Sequence, residues 1–305
     1  MRGGPSQQIT LRPGLERIRK APEGAFFRFA LLLFCGFGAL PALATECSVL
    51  PFRSDAERVQ VKKVYDGDTL TLKDGRRIRL LGINTPELTH GGKPAEPLGK
   101  QSRQQLKQIL GKGPVFLLVG KEAHDHYGRV LGHVFDAAGE SVSAQLLRLG
   151  AGFAVVIPPN TRLSECYQEA ELFARSNGLG VWGNPFFQPV SSASTALKGG
   201  YIRVTGVVQR VSLTKKVIWV DLEGDVTLKI DKKYSDYVSG AVLDAVMARS
   251  RNAQAKPELM LEARGWMSDR LSWKGSMPKL IKQGKRKRFQ LNIQHRLVWS
   301  AVAGR

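Results

Sequence analysis

The sequence predicts an α+β, mainly β chain: a five-stranded barrel carrying three helices, followed by a second β-barrel. Three observations lead there. Short runs with strand-like apolar alternation recur with turn residues between them. Helical spacing is confined to a few short stretches. The charge balance also changes near residue 195: residues 45–195 hold 18 Lys/Arg and 15 Asp/Glu, and residues 196–305 hold 22 and 9. With 305 residues and 43% hydrophobic content, the chain has room for two packed cores, and wholesale disorder is excluded. The formal charge of +20 and the pI near 10.2 point to a polyanion or an anionic surface as partner.

Residues 1–44 read as a signal peptide. Arg12, Arg17, Arg19, Lys20 and Arg28 precede or flank the apolar "FALLLFCGFGALPALA", and Ala42-Leu43-Ala44 fits a small-x-small cleavage site. The expectation is an exported protein, periplasmic or secreted, with an uncleaved membrane anchor as the alternative. Cleavage after Ala44 leaves Cys47 and Cys166, an even number in an oxidising compartment, which predicts one disulfide between them. Residues 45–58 form the mature N-terminal segment.

The first domain is assigned to residues 59–188. "RVQVKKVY", "DTLTLK" and "RRIRLLGI" read as strands, with Asp74-Gly75 turning a hairpin between the last two. A polar loop, "THGGKPAEPLG", leads into the helix "KQSRQQLKQILG". "PVFLLVG" and "RVLGHVFD" are two further strands joined by "KEAHDHYG", and "SVSAQLLRLG" and "LSECYQEAELFARSNG" are helices. Five short strands with helices packed at one end suggest a small barrel. Residues 189–199, rich in Ser, Ala and Gly, read as a linker.

Three motifs carry the chemistry: Asp66-Gly67-Asp68-Thr69; Arg79 followed by Asn84-Thr85-Pro86-Glu87; and Asp125-His126-Tyr127-Gly128-Arg129. In this order and spacing they resemble the staphylococcal (micrococcal) nuclease family, over residues 59–185 and including the late "GLGVWGNP". The resemblance implies an OB-type barrel and metal-dependent hydrolysis of phosphodiester bonds in DNA and/or RNA, leaving 3′-phosphate ends. The reaction puts negative charge on the phosphoryl oxygens. Guanidiniums meet that charge in a bidentate manner, a metal ion shares it, and a carboxylate orients or deprotonates water. By resemblance Arg79, Glu87 and Arg129 are catalytic, and Asp68, the Asn84 side chain and the Thr85 main-chain carbonyl are ligands of Ca²⁺, with Mg²⁺ or another divalent ion as alternatives. His126 and Tyr127 are expected to contact substrate.

Departures from the family pattern accompany this. Asn84 stands where the family commonly has Asp, so the metal shell loses a negative charge and weaker or altered metal preference is expected. Val155, Val156 and Ile157 stand where the archetype has nucleotide-packing tyrosines, and His126 replaces a lysine, making any charge there pH-dependent. His124, His126 and His133 are not expected to form a zinc site, because the two alternating histidines lie in a loop with no cysteine pair nearby.

Residues 200–305 form the second domain. "YIRVTGVVQRVS", "KVIWVDLEG", "VTLKI", "LMLEARGWMS" and "FQLNIQHRLVW" read as five strands with a helix near 234–249, the pattern of an OB-fold. Its ending is similar to that of domains appended to bacterial secreted nucleases. "KLIKQGKRKR" is expected in a hairpin before the last strand, making phosphate contacts. Trp266, Trp273 and Tyr201 are candidate stacking platforms. The function expected is an exported calcium-dependent nuclease, an endonuclease before an exonuclease. The alternatives are a catalytically weak nucleic-acid-binding protein on the same fold and a scaffold attached to an anionic envelope surface.

Overall fold

The computed structural model describes residues 47–302 except 50, 51, 90, 91, 93 and 253–256. The predicted signal peptide lies outside the described residues. Among the described residues no helix is long and apolar enough to cross a membrane.

The first barrel uses β1 (Glu57–Val59), β2 (Val61–Val64), β3 (Thr69–Leu72), β4 (Arg77–Leu80), β6 (Val115–His124) and β7 (Val130–Phe135), in the order β1-β6-β7-β4-β3-β2. Only Gln60 separates β1 from β2, so the two edges of this sheet are one bent strand and the barrel closes with five strands. Every pairing is antiparallel except β4 with β7. Leu70, Ile78 and Val115 have no solvent exposure and Leu80 and Leu117 almost none; each such side chain stabilises the fold by roughly 1.5–3 kcal/mol. Helix α1 (Gly99–Leu110) buries Ser102, Leu106 and Leu110 along one stripe, the i, i+4, i+8 spacing that brings residues to one helix face. Helices α2 (Val142–Arg148) and α3 (Ser164–Ser176) complete the domain. Cys47 is bonded to Cys166 of α3.

"RRIRLLGI" is not one strand. It breaks at Leu81, and β5 (Gly82–Asn84) leaves the barrel to pair with β8 (Phe153–Val155). Gly82 has φ +90° and an added Cβ would lie 2.1 Å from the Tyr167 ring, so only glycine makes this turn. "KEAHDHYG" is also not all loop, because Lys121–His124 continue β6.

The second barrel closes in the same way. β10 (Gly200–Leu213), β11 (Val217–Leu222), β12 (Val226–Asp231), β14 (Phe289–Asn292) and β13 (Met260–Asp269) follow one another around it, and β13 returns to β10. The β12–β14 pair is parallel, matching β4–β7 of the first barrel. Each barrel places a helix between its third and fourth strands: α1 in the first, and α4 (Ser235–Val238) with α5 (Ala241–Arg251) in the second. Both therefore have the five-stranded OB arrangement. Three expectations need adjustment. "FQLNIQHRLVW" splits into β14, a 3₁₀ turn and β15 (Trp299–Val302), which pairs outside β13. The basic segment before β14 is not a hairpin: it contains the short helix α6 (Met277–Lys282). Within the stretch read as a linker, β9 (Val190–Ser191) pairs in parallel with β10, and Leu197 is buried.

The barrels share a buried ionic seam. Arg264 of β13 reaches Glu171 of α3 at 2.5 Å and donates to the carbonyls of Ala154 and Leu297. Glu262 binds both Arg203 and Arg175. Trp182 lies beneath the guanidiniums of Arg175, Arg203 and Arg264, 4.7–5.6 Å from its ring centre. Tyr201 stacks on Phe153 across the same seam, with its hydroxyl buried. It is packing, not a platform open to a base.

Candidate active site

The turn between β2 and β3 sets the site. The Asp66 carboxylate accepts the Asp68 amide at 3.0 Å, closing a tight turn. Gly67 sits where a Cβ would approach the Thr85 hydroxyl oxygen at 2.7 Å and Ser102 Cβ at 2.8 Å. The turn is thereby pressed onto the segment after β5. The Asp68 carboxylate accepts the Thr85 amide at 2.8 Å and the Thr85 hydroxyl at 3.0 Å. Residues 17 apart in sequence are joined, and Asp68, Asn84 and Thr85 are all buried.

Arg79 lies within this cluster. Its Nε is 3.3 Å from Asp68, Nη1 donates to the Leu80 and Ile83 carbonyls at 2.6 and 2.8 Å, and Nη2 donates to Asn84 Oδ1 at 3.2 Å. Four of its five N–H groups are engaged within the protein. The guanidinium on the strand is thus the electrostatic partner of the acid-lined turn, and the strand break at Gly82 supplies two of its acceptors.

Arg129 approaches from β7. Asp125 accepts its Nε at 2.7 Å and its amide at 3.0 Å. Burial raises the Asp125 pKa, but the hydrogen bonds and charge of Arg129 outweigh it, and the net shift is downward. Nη1 of Arg129 donates to the Thr69 hydroxyl at 3.4 Å, and that hydroxyl donates to Asp68 at 3.2 Å. Neither Asp125 as anchor nor Thr69 as link was picked out from sequence. The i, i+4 spacing of Asp125 and Arg129 was the available signal.

Glu87 is exposed at the edge. Its backbone is pinned by two bonds with Glu96, whose carboxylate accepts the Glu87 amide at 3.0 Å and whose amide donates to the Glu87 carbonyl at 2.9 Å. The Glu87 carboxyl pKa is raised, first by the crowding of protein atoms around it and then by repulsion from Asp68 and Asp66. Burial and the Asp68 charge raise Asp66 in the same sense. Three carboxylates therefore act on one another, with Arg79 as the common opposing charge. A cation held by hard oxygens would relieve this repulsion. Among the described residues no three His, Cys, Asp or Glu side chains converge on one point, so such an ion would depend on the Asn84 amide and Thr85 main-chain oxygens beside Asp68. The residues fit a weakly held divalent ion.

His126 and Tyr127 are exposed, their rings 3.8 Å apart, and Tyr127 lies beside the Arg129 guanidinium at 5.4 Å. Among the described residues the histidines form no metal-holding cluster, and His133 is buried against Tyr167, with Nδ1 2.6 Å from the hydroxyl.

The fold and site together define a five-stranded OB barrel carrying two arginines beside an acid-lined turn. Residues 77–184 match the family described as staphylococcal nuclease homologue. The chain is 33% identical over 140 residues to a thermonuclease of Staphylococcus intermedius, an alignment covering 43% of this chain and 83% of that protein. It is 30% identical over 143 residues to a thermonuclease of Staphylococcus hyicus, covering 44% and 84%. Endonuclease YhcR of Bacillus subtilis is 30% identical over 185 residues, 54% of this chain but 15% of that protein. The chain belongs to the staphylococcal nuclease family.

Proposed function

We propose that this protein is a nuclease hydrolysing DNA and/or RNA phosphodiester bonds, acting with a divalent cation. The observation that carries the reading is the convergence of Arg79 and Thr85 on Asp68, with Asn84 held by Arg79 and with Arg129 joined to the same carboxylate through Thr69.

Asp68, the Asn84 side chain and the Thr85 main-chain carbonyl would hold the ion, Ca²⁺ by preference for hard oxygens, which would supply positive charge beside the phosphate. The chain's own groups divide the remaining work. Glu87, exposed and with a raised pKa, orients the attacking water and takes its proton. Arg129, whose Nη2 has no hydrogen-bond partner among the described residues, meets the phosphoryl oxygens as charge develops. Arg79, with most of its donors committed, contributes charge and holds Asp68 and Asn84 in place. Tyr127 and His126 line the approach. In-line attack that breaks the 5′ P–O bond leaves a 3′-phosphate and a 5′-hydroxyl. Export through the N-terminal segment is part of the same proposal, and Cys47–Cys166 suits an oxidising compartment.

Plasmid nicking and RNA degradation, run with Ca²⁺, with Mg²⁺ and with EDTA, test the reading. Expected are cleavage with Ca²⁺, none with EDTA, and 5′ ends that accept label from a kinase without prior phosphatase treatment. Absence of cleavage by the folded protein with every ion would overturn it.

A further inference from the structure

The outer face of the second barrel has a composition its own packing does not require. Core side chains of β11 and β12 point inward, leaving Trp219 and Lys229 half-buried on the outer side, with Trp219 opposite Lys229 and Lys229 opposite Asn292 of β14, while Asp221 and Thr227 on that side are buried and bonded to each other. Three acids on this side are ion-paired, Asp221 with Arg210, Asp231 with Lys229 and Asp269 with Arg288, and Asp225 accepts the Arg288 amide.

Among the described residues, Lys274, Lys279, Lys282, Lys285 and Arg286 of the 270–288 connection have no ion-pair partner, nor do Lys215 and Lys216 in the turn after β10. Arg270 opens that connection, directly after β13. It is 2% exposed, and among the described residues its Nε has no hydrogen-bond partner and its Nη groups bond the Lys287 carbonyl and the Met277 sulfur. Its guanidinium is 5.8 Å from the Trp219 ring and 5.5 Å from the ring of Trp273, which is 39% exposed. Burial lowers the Arg270 pKa and the Arg286 charge lowers it further. A buried guanidinium whose opposing acid, Asp221, is already paired with Arg210, among cations without ion pairs, is a site short of negative charge. In an OB barrel, the second and third strands with the connections after the first and fourth form the surface on which oligonucleotides lie. The unpaired cations and the exposed tryptophan sit on those connections.

We infer that the outer face of β11 and β12, bounded by the 214–216 turn and the 270–288 connection, binds single-stranded nucleic acid, with phosphates on the free cations and a base on Trp273. Arg270 is a positioning residue, holding the connection against the face. Exposed aromatics among spaced cations suit a strand whose bases are unstacked. The site lies on the second barrel alone and needs no hydrolysis to operate.

The test uses the full chain, EDTA, and a fluorescent oligothymidylate over a salt series. Lys279→Gln, Lys282→Gln, Lys285→Gln and Arg286→Gln together should weaken binding at least tenfold. They should also flatten the slope of log affinity against log salt by about 0.7 per lost contact, on the order of 3 in total. Trp273→Ala, which changes no charge, should cost roughly tenfold at high salt, with partial recovery in Trp273→Phe. Unchanged affinity and slope in the four-residue variant would overturn the inference. Loss of binding to phosphatidylglycerol vesicles with oligonucleotide binding intact would also overturn it and make the face a membrane site. A wild-type protein that binds through these residues but hydrolyses nothing would overturn the nuclease proposal and leave this one standing.

Discussion

Arg264 of the second barrel and Glu171 of the first form an ion pair in which both side chains are buried, at 5% and 9% exposure. Glu171 also accepts the Ala154 amide at 2.6 Å, so it orients β8 and through it β5, which carries Asn84. Arg264→Met should destabilise the protein by about 3–5 kcal/mol, because it strands a carboxylate in the seam. Arg264→Met combined with Glu171→Met should recover much of that. Urea denaturation of the two variants measures the difference, and equal losses in both would show that the charges are not coupled. For the same reason, removing residues 196–305 is not a neutral truncation.

The three proposed catalytic groups should respond differently. Arg129→Ala should lower turnover by about 3–4 kcal/mol of transition-state stabilisation, on the scale of losing an oxyanion donor, with little change in melting temperature. Arg79→Ala should lose turnover and stability together, since three hydrogen bonds and an ion pair go with it. Glu87→Gln should abolish turnover yet melt higher at neutral pH without metal, because the ionised carboxyl is disfavoured by its neighbours. Unchanged melting behaviour in Arg79→Ala would contradict its assignment as the holder of Asp68 and Asn84.

Asn84→Asp should tighten Ca²⁺ binding by adding a carboxylate to the oxygen set. It should also increase the repulsion on Asp66 and Glu87 when metal is absent, so the gain in affinity accompanies a loss of metal-free stability. Calorimetric titration together with melting in EDTA reads both. Unaltered affinity would remove Asn84 from the proposed metal shell.

His133 gives the fold an acid limit. Burial, with the Arg162 charge adding, lowers its pKa from 6.5 to about 4. The unfolded chain takes up this proton below pH 6.5 while the folded one resists until about 4. The stabilisation is therefore complete above 6.5 and is lost as pH falls toward 4, a change of about 3 kcal/mol by linkage. His295, lowered to about 4 by burial and the Arg296 charge, acts in the same direction. The urea midpoint should fall between pH 6.5 and 4, and His133→Gln should fall less steeply. Parallel curves for the two proteins would refute the assignment.

Much of this was legible in the sequence, because strand alternation, turn residues and the three motifs are local. Asp68, Arg79, Asn84 and Thr85 come together because each motif sits at a strand end. What was not legible depends on distant partners. The break after β4 is required by Tyr167, some eighty residues on in a helix, whereas "RRIRLLGI" alone reads as continuous strand. The short helix α6 was hidden by the density of lysines around it, although Pro278 in its first turn marks a helix start. Arg264 looks like any strand residue until Glu171 is placed against it.

The bond between Cys47 and Cys166 closes a ring spanning 119 residues, within which lie the first barrel's strands and every residue proposed for the active site. A single protease cut anywhere inside that ring leaves both pieces covalently attached, each still next to the fragment it must pair with. Outside a reducing environment, this molecule is built to survive being nicked.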